Sequence, residues 1–266
     1  MPPRAVKCLP YPPPMKFKFL PFLVLPLSAA FALEQGGGVA SVPSGPPAIA
    51  LIGDSTVCDY PLTGRMRGWG QLLPEYLQAG VAVRNEAKGG LSTKTFPRDR
   101  WRALLASHPD YVLIQFGHND SHAKDRPEST DAATDYAENL RHFVAEARAA
   151  GVTPILVTPV RRRLFKQGKT TEELAPYAES MRGVAEETKT LLVDLHAMSG
   201  DLYARLGETD STPFTLNATD QADRPGLGDR THFTEYGARR MARLVAEGIS
   251  KADTRLSAWI RLPAEN

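Results

Sequence analysis

The chain is predicted to be an α/β protein: a five-stranded, mostly parallel sheet with helices on both faces. Three observations predict it. Apolar, strand-like runs alternate with segments of helical periodicity along residues 48–250, the pattern of repeated strand–helix–strand crossovers. Polar residues able to do chemistry fall just after the strand runs, where such sheets gather their functional loops. The chain has 266 residues, 42% hydrophobic and 23% charged, enough for one domain with a real core, and no internal repeat or second domain is evident.

Residues 1–32 stand apart from this pattern. Lys16 and Lys18 precede an apolar run from Phe19 to Ala32 that ends in Ala30-Phe31-Ala32, the layout of a secretory signal peptide cleaved after Ala32. The run is shorter than the ~20 residues of a spanning helix, and Pro21 and Pro26 interrupt it. The mature protein is therefore expected to be secreted or periplasmic, without a membrane span. Met15 is a second candidate start, because the residues before it resemble neither an n-region nor a fold element. Cleavage would remove Arg4, Lys7, Lys16 and Lys18 and no acid, turning 32 basic against 30 acidic residues into 28 against 30, formally −2. No basic footprint for nucleic acid would remain. Cys8 would be lost as well, leaving Cys58 alone and no internal disulfide. Nothing near Cys58 in sequence favours a reactive thiolate.

Residues 33–47, rich in Gly, Pro and Ser, read as a flexible lead-in. The domain is expected over 48–255. Its strands are predicted at 48–53, 81–87, 111–117, 153–160 and 190–195, and its helices at 68–80, 97–107, 130–151, 171–189 and 234–250. The third helix has the clearest pattern, with Thr130 or Asp131 as N-cap, Leu140, Phe143 and Val144 on one face, and Gly151 closing it.

The loops after these strands carry Gly53-Asp54-Ser55, Lys88-Gly89-Gly90, Gly117-His118-Asn119-Asp120 and Arg161-Arg162-Arg163, and Asp229-Arg230-Thr231-His232 precedes the last helix. A serine hydroxyl is a weak nucleophile until a base takes its proton, and that base needs an acid to orient it. Ser55 is the candidate nucleophile, His232 the base and Asp229 the acid, since three residues of separation in a tight turn can set a carboxylate beside Nδ1 and leave Nε2 free. The oxyanion of such an attack needs donors already in place. The Ser55 and Gly90 backbone N–H groups and the Asn119 side-chain amide are the candidates. Asp54 is the rival acid, but its adjacency to Ser55 turns its side chain away, toward loop amides.

In this order, Gly53-Asp54-Ser55, Gly90, Gly117-His118-Asn119-Asp120 and Asp229-x-x-His232 resemble the blocks of the SGNH (GDSL-type) hydrolases over nearly all of residues 48–250. The resemblance implies a flavodoxin-like three-layer sandwich and a serine esterase using Ser55, Asp229 and His232, with Ser55, Gly90 and Asn119 as the oxyanion hole. No G-x-S-x-G elbow is present. GDSTV, GWG (68–70), NEAKGGLSTKTF (85–96), IQFGHND (114–120), TPVRR (158–162) and DRTHFTEYGA (229–238) are similar to the rhamnogalacturonan acetylesterase branch. Leu91 departs from it, standing where an arginine is common.

The expected activity is therefore hydrolysis of O-acetyl esters on a plant cell-wall polysaccharide, rhamnogalacturonan or other pectin, or xylan. No cofactor is expected, and no metal, because no pair of histidines at metal-ligand spacing stands out and the Asp-x-x-His chemistry needs none. The expected partner is the acetylated polysaccharide or oligosaccharide, and the chain is expected to be a monomer. A lipid esterase or thioesterase of the same family and a non-catalytic carbohydrate-binding protein are the alternatives. His118 and Arg161 are candidate substrate contacts, and other arginines of the rim (Arg65, Arg67, Arg98, Arg100, Arg162, Arg163) are further candidates for uronate groups. His108, His122 and His196 read as surface or structural residues, and Trp69 as a seat for the first helix. Asn119 and Asn217 lie in glycosylation sequons, the first a false match if Asn119 lines the oxyanion hole.

Overall fold

The structure is a computed structural model and describes residues 45–216 and 228–264. The expected signal segment, most of the lead-in and the Asn217 sequon lie outside the described residues. Five parallel strands, β1 (Ala48–Gly53), β2 (Ala82–Asn85), β3 (Tyr111–Gln115), β4 (Thr153–Val157) and β7 (Leu191–Val193), form one sheet in the order β2-β1-β3-β4-β7. A two-stranded antiparallel hairpin, β5 (Phe165–Lys166) and β6 (Lys169–Thr170), lies between β4 and the next helix. The helices are α1 (Trp69–Leu72), α2 (Arg98–Ala106), α3 (Asp135–Ala149), α4 (Ala175–Thr188), α5 (Leu195–Asp210), α6 (Glu235–Ala252) and α7 (Thr254–Ser257).

Strand composition explains strand position. All of β3 (YVLIQ) is buried, and so is β1 after Ala48, as a strand covered on both faces requires. β2 (AVRN) alternates exposed and half-buried residues and sits at an edge. The period-two alternation of β1 feeds two cores. Ile49 and Leu51 pack with Trp69, Tyr203, Met241 and Val245 on one side. Ala50 and Ile52 pack with Trp101, Leu140, Phe143 and Met181 on the other. Helices therefore cover both faces, the expected three-layer sandwich.

Helix boundaries show where the sequence pattern is incomplete. The first expected helix shortens to α1 followed by a 3₁₀ turn at Leu73–Tyr76, because Pro74 has no N–H for the next helical bond. α3 begins at Asp135, not near 130. Thr130 is engaged by Asp120, and the Asp131 side chain accepts the Ala133 and Thr134 N–H groups in a turn before the helix. α5 is absent from the expected elements. It starts directly after β7, with the Asp194 side chain accepting from Ala197 N–H, and it contains Gly200 and Gly207, which blur its periodicity. Packing continues past residue 255 through α7 and a bridge between Leu77 and Ile260. Among the described residues no helix is long and apolar enough to cross a membrane.

Candidate active site

At the carboxyl end of β1 the chain turns through Asp54-Ser55-Thr56 and is pinned from below by a buried chain of hydrogen bonds. Trp69 Nε1–H donates to Gln115 Oε1, Gln115 Nε2–H to Thr56 Oγ1, and Thr56 Oγ1–H to Asp54 Oδ1, each at 2.7 Å. Trp69 is fully buried and seats α1. Asp54 Oδ1 also accepts the Thr56 N–H, and Oδ2 faces His118 Nδ1 at 3.2 Å. Burial would raise the Asp54 carboxyl, but His118 and the Thr56 bonds hold it below the usual carboxylate range. Asp54 is thus committed to the floor of the turn and to His118.

Ser55 remains half-buried at the surface. His232 Nε2 lies 2.9 Å from Ser55 Oγ, and His232 Nδ1 lies 2.6 Å from Asp229 Oδ2. Asp229 Oδ1 accepts the backbone N–H groups of Thr231 and His232, both at 2.9 Å, so the tight turn between acid and histidine is built on the carboxylate itself. Burial alone would lower the His232 imidazole, but the adjacent Asp229 carboxylate outweighs it and raises the group above its ordinary value. Asp229 is held low by the same bond and by the two amides, against a desolvation that would raise it. The arrangement can take a proton from Ser55 Oγ and stabilise the imidazolium that results.

The loop after β2 approaches Ser55 from the side. Gly90 has φ = +79°, a conformation L side chains rarely adopt. Asn119, after β3, is buried and donates one amide hydrogen to the Leu91 carbonyl at 2.8 Å, which leaves its second hydrogen for another acceptor. Only the backbone of Leu91 is used in this contact, while its side chain packs on the second core. Asp120 ties the two loops together by accepting from Thr93 N–H and from the Thr93 and Thr130 hydroxyls. Its burial raises the carboxyl to about 6.

Ser55, Gly90, Asn119, His118, Asp229 and His232 line one cavity of about 730 Å³. Arg161 does not. Its guanidinium donates to His196 O and Thr170 Oγ1 and pairs with Glu172 at 2.8 Å, in a slot that opens because Gly200 has no Cβ. Arg162 and Arg230 line the cavity instead. Three other arginines of the expected rim are spent on structure. Arg67 donates to four loop carbonyls (Pro61, Leu62, Gly64, Met66), Arg100 pairs with Glu86, and the buried Arg163 binds Thr215 Oγ1 and Glu208 O.

Sequence reasoning missed Tyr60, His122 and Leu164 as lining residues. Tyr60 donates its hydroxyl to Ser55 O at 2.9 Å, and His122 faces Glu128 at 2.6 Å. Arg230 carried a signal that was overlooked, since it lies inside the Asp229–His232 tetrapeptide. Cys58 is buried, and burial pushes its thiol up, away from thiolate chemistry.

The model of the GDSL-like lipase/acylhydrolase family matches residues 51–240. A Bacillus subtilis protein named rhamnogalacturonan acetylesterase RhgT is 38% identical over 214 residues, covering 77% of this chain and 90% of its own. Among solved structures, the YxiM protein of Bacillus subtilis aligns with a TM-score of 0.66 at 29% identity over 79% of this chain; the alignment covers 57% of that protein, so this chain spans little more than half of it. A catalytic mutant of Axe2, an acetylxylan esterase from Geobacillus stearothermophilus, aligns with a TM-score of 0.60 at 24% identity, covering 77% of this chain and 95% of its own, a likeness of fold alone.

Proposed function

The chain belongs to the GDSL-like lipase/acylhydrolase family, and from that membership we propose that it is a serine esterase removing O-acetyl groups from plant cell-wall polysaccharide, rhamnogalacturonan or other pectin first and xylan second. The observation that carries the proposal is the continuous line from Ser55 Oγ through His232 to Asp229 at the wall of an open cavity. Ser55 attacks the acetyl carbonyl while His232 Nε2 takes its proton. The oxyanion is held by the Ser55 and Gly90 N–H groups and by the free Asn119 amide hydrogen. His232 then returns the proton to the departing sugar hydroxyl, and a water activated in the same way releases acetate.

A relative named rhamnogalacturonan acetylesterase supports the carbohydrate substrate, and so does the cavity lining, in which Leu164 is the one aliphatic side chain among the described residues. A lipid-directed site would need a longer apolar wall. Export through residues 1–32 belongs to the same proposal, because the polymer lies outside the cell.

The test is acetate release from acetylated pectin and xylan, with p-nitrophenyl acetate and octanoate as simple esters. Ser55→Ala is expected to melt like the wild type and to release no acetate above background. Undiminished hydrolysis by that variant overturns the nucleophile assignment.

A further inference from the structure

We infer that Arg162 and Arg230 form a carboxylate-reading subsite, so that the enzyme acts on acetyl groups carried on or beside an acidic sugar in preference to neutral ones. The inference rests on the esterase proposed above and specifies its substrate.

Its basis is the pairing of charges. Six arginines elsewhere on the molecule have acidic partners: Arg84 and Arg100 with Glu86, Arg141 with Glu187, Arg161 with Glu172, Arg182 with Asp194, and Arg239 with Glu75 and Glu235. Arg162 and Arg230 are half-buried in the cavity wall, and among the described residues neither forms an ion pair. The side chain of Arg162 makes one long bond, from Nη2 to the His118 carbonyl at 3.4 Å, and its Nε is buried with no hydrogen-bond partner.

Among the described residues Asp229 is the only carboxylate lining the cavity, and its oxygens are directed to His232 Nδ1 and to two backbone amides rather than to either arginine. A half-buried guanidinium with an unmet donor is costly unless a ligand completes it. Its planar fork matches a carboxylate in a bidentate manner, whereas a neutral hydroxyl uses one donor and leaves the charge unmet. Arg162, with Arg230 as a second cation in the same cavity as Ser55 and His232, therefore selects an anionic substrate group, and a sugar carboxylate is the anion a carbohydrate polymer supplies.

The experiment compares acetylated polygalacturonate as the free acid with the same polymer after methyl esterification, which removes the charge and keeps the acetyl groups. Wild-type kcat/KM is expected to be at least about tenfold higher on the free acid, with the difference mainly in KM and shrinking as salt is raised. Arg162→Gln and Arg230→Gln should each lower the free-acid to methyl-ester ratio several-fold, and the double variant should bring it near one. Arg162→Lys should retain part of the ratio. Arg161→Gln, adjacent in sequence but outside the cavity, should leave it as in the wild type. Melting curves verify that each variant is folded. Equal wild-type rates on the two polymers, or a ratio unmoved in the folded double variant, overturn the inference while leaving the esterase intact. No acetate from either polymer or from p-nitrophenyl acetate overturns both.

Discussion

Replacing Asp229 by asparagine probes the proposed triad at a single atom. Asp229 uses its two oxygens differently: Oδ1 accepts the Thr231 and His232 backbone N–H groups at 2.9 Å, and Oδ2 faces His232 Nδ1 at 2.6 Å. An asparagine keeps both amide bonds by turning its carbonyl oxygen to them, which places its amide nitrogen where Oδ2 stood. Two N–H donors cannot face each other, so the imidazole proton must move to Nε2. Nε2 then donates to Ser55 Oγ instead of accepting from it, and the base is lost while the turn keeps its shape. In the serine-protease triad the equivalent exchange lowers kcat by about 10⁴, which is about 5 kcal/mol of barrier at roughly 1.4 kcal/mol per decade. A loss of that order is expected in kcat on p-nitrophenyl acetate, in a variant that melts within a few degrees of the wild type. A folded Asp229→Asn enzyme retaining more than about a tenth of wild-type kcat would refute the assigned roles, because a tautomer that cannot accept a proton has no half-active form.

Three further outcomes follow from the same geometry. The proposed mechanism requires neutral His232, whose pKa is raised by Asp229, so kcat/KM should climb with pH through a midpoint above the usual histidine value of about 6.5; a midpoint below that value contradicts the role given to Asp229. Burial raises Asp120 to about 6, so the folded state binds a proton that the unfolded chain releases near pH ~3.9. Stability from this group is full below that pH and is lost as pH rises through about 6, a swing of roughly 3 kcal/mol. Denaturation of wild type and Asp120→Asn at both ends of the window should show their stability difference moving in favour of the variant as pH rises, and a constant difference would count against it. Arg67, 6% exposed, satisfies four carbonyls; Arg67→Ala is expected to cost about 2–4 kcal/mol in urea denaturation, and a change under about 0.5 kcal/mol would show that the loop finds other donors.

The sheet was legible in the sequence because a strand buried on both faces must be apolar throughout, and residues 48–53 and 111–115 can be little else. The proposed catalytic set was legible for a related reason. Asp229 and His232 are three residues apart, so their bond is a local event, and Ser55 follows a strand whose position fixes it. What escaped depends on neighbours distant in sequence. α5 has little periodicity of its own and is stabilised by packing Leu202 and Tyr203 into the first core. The start of α3 is set by Asp120, which claims Thr130 from ten residues away.

The arginines mark the boundary of what residue type alone can say. Arg161, Arg162 and Arg163 are identical in chemistry and consecutive in the chain, yet they go three ways. Arg161 enters a slot that exists because residue 200 is glycine, Arg163 is buried against Thr215 and Glu208, and Arg162 alone of the three lines the cavity. No local rule separates them, because each meets a segment distant in the chain: Arg161 the His196–Gly200 stretch, Arg162 His118, and Arg163 Glu208 and Thr215. Once the partners are assigned, the distinction becomes one of charge. A guanidinium neutralised by Glu172 has little left to offer a substrate, whereas one in the cavity wall without a counter-ion among the described residues does. A carboxylate paired with Arg161 stabilises the loop whatever the substrate, so its loss is expected to appear in melting temperature, and the loss of Arg162 in KM for an acidic polymer.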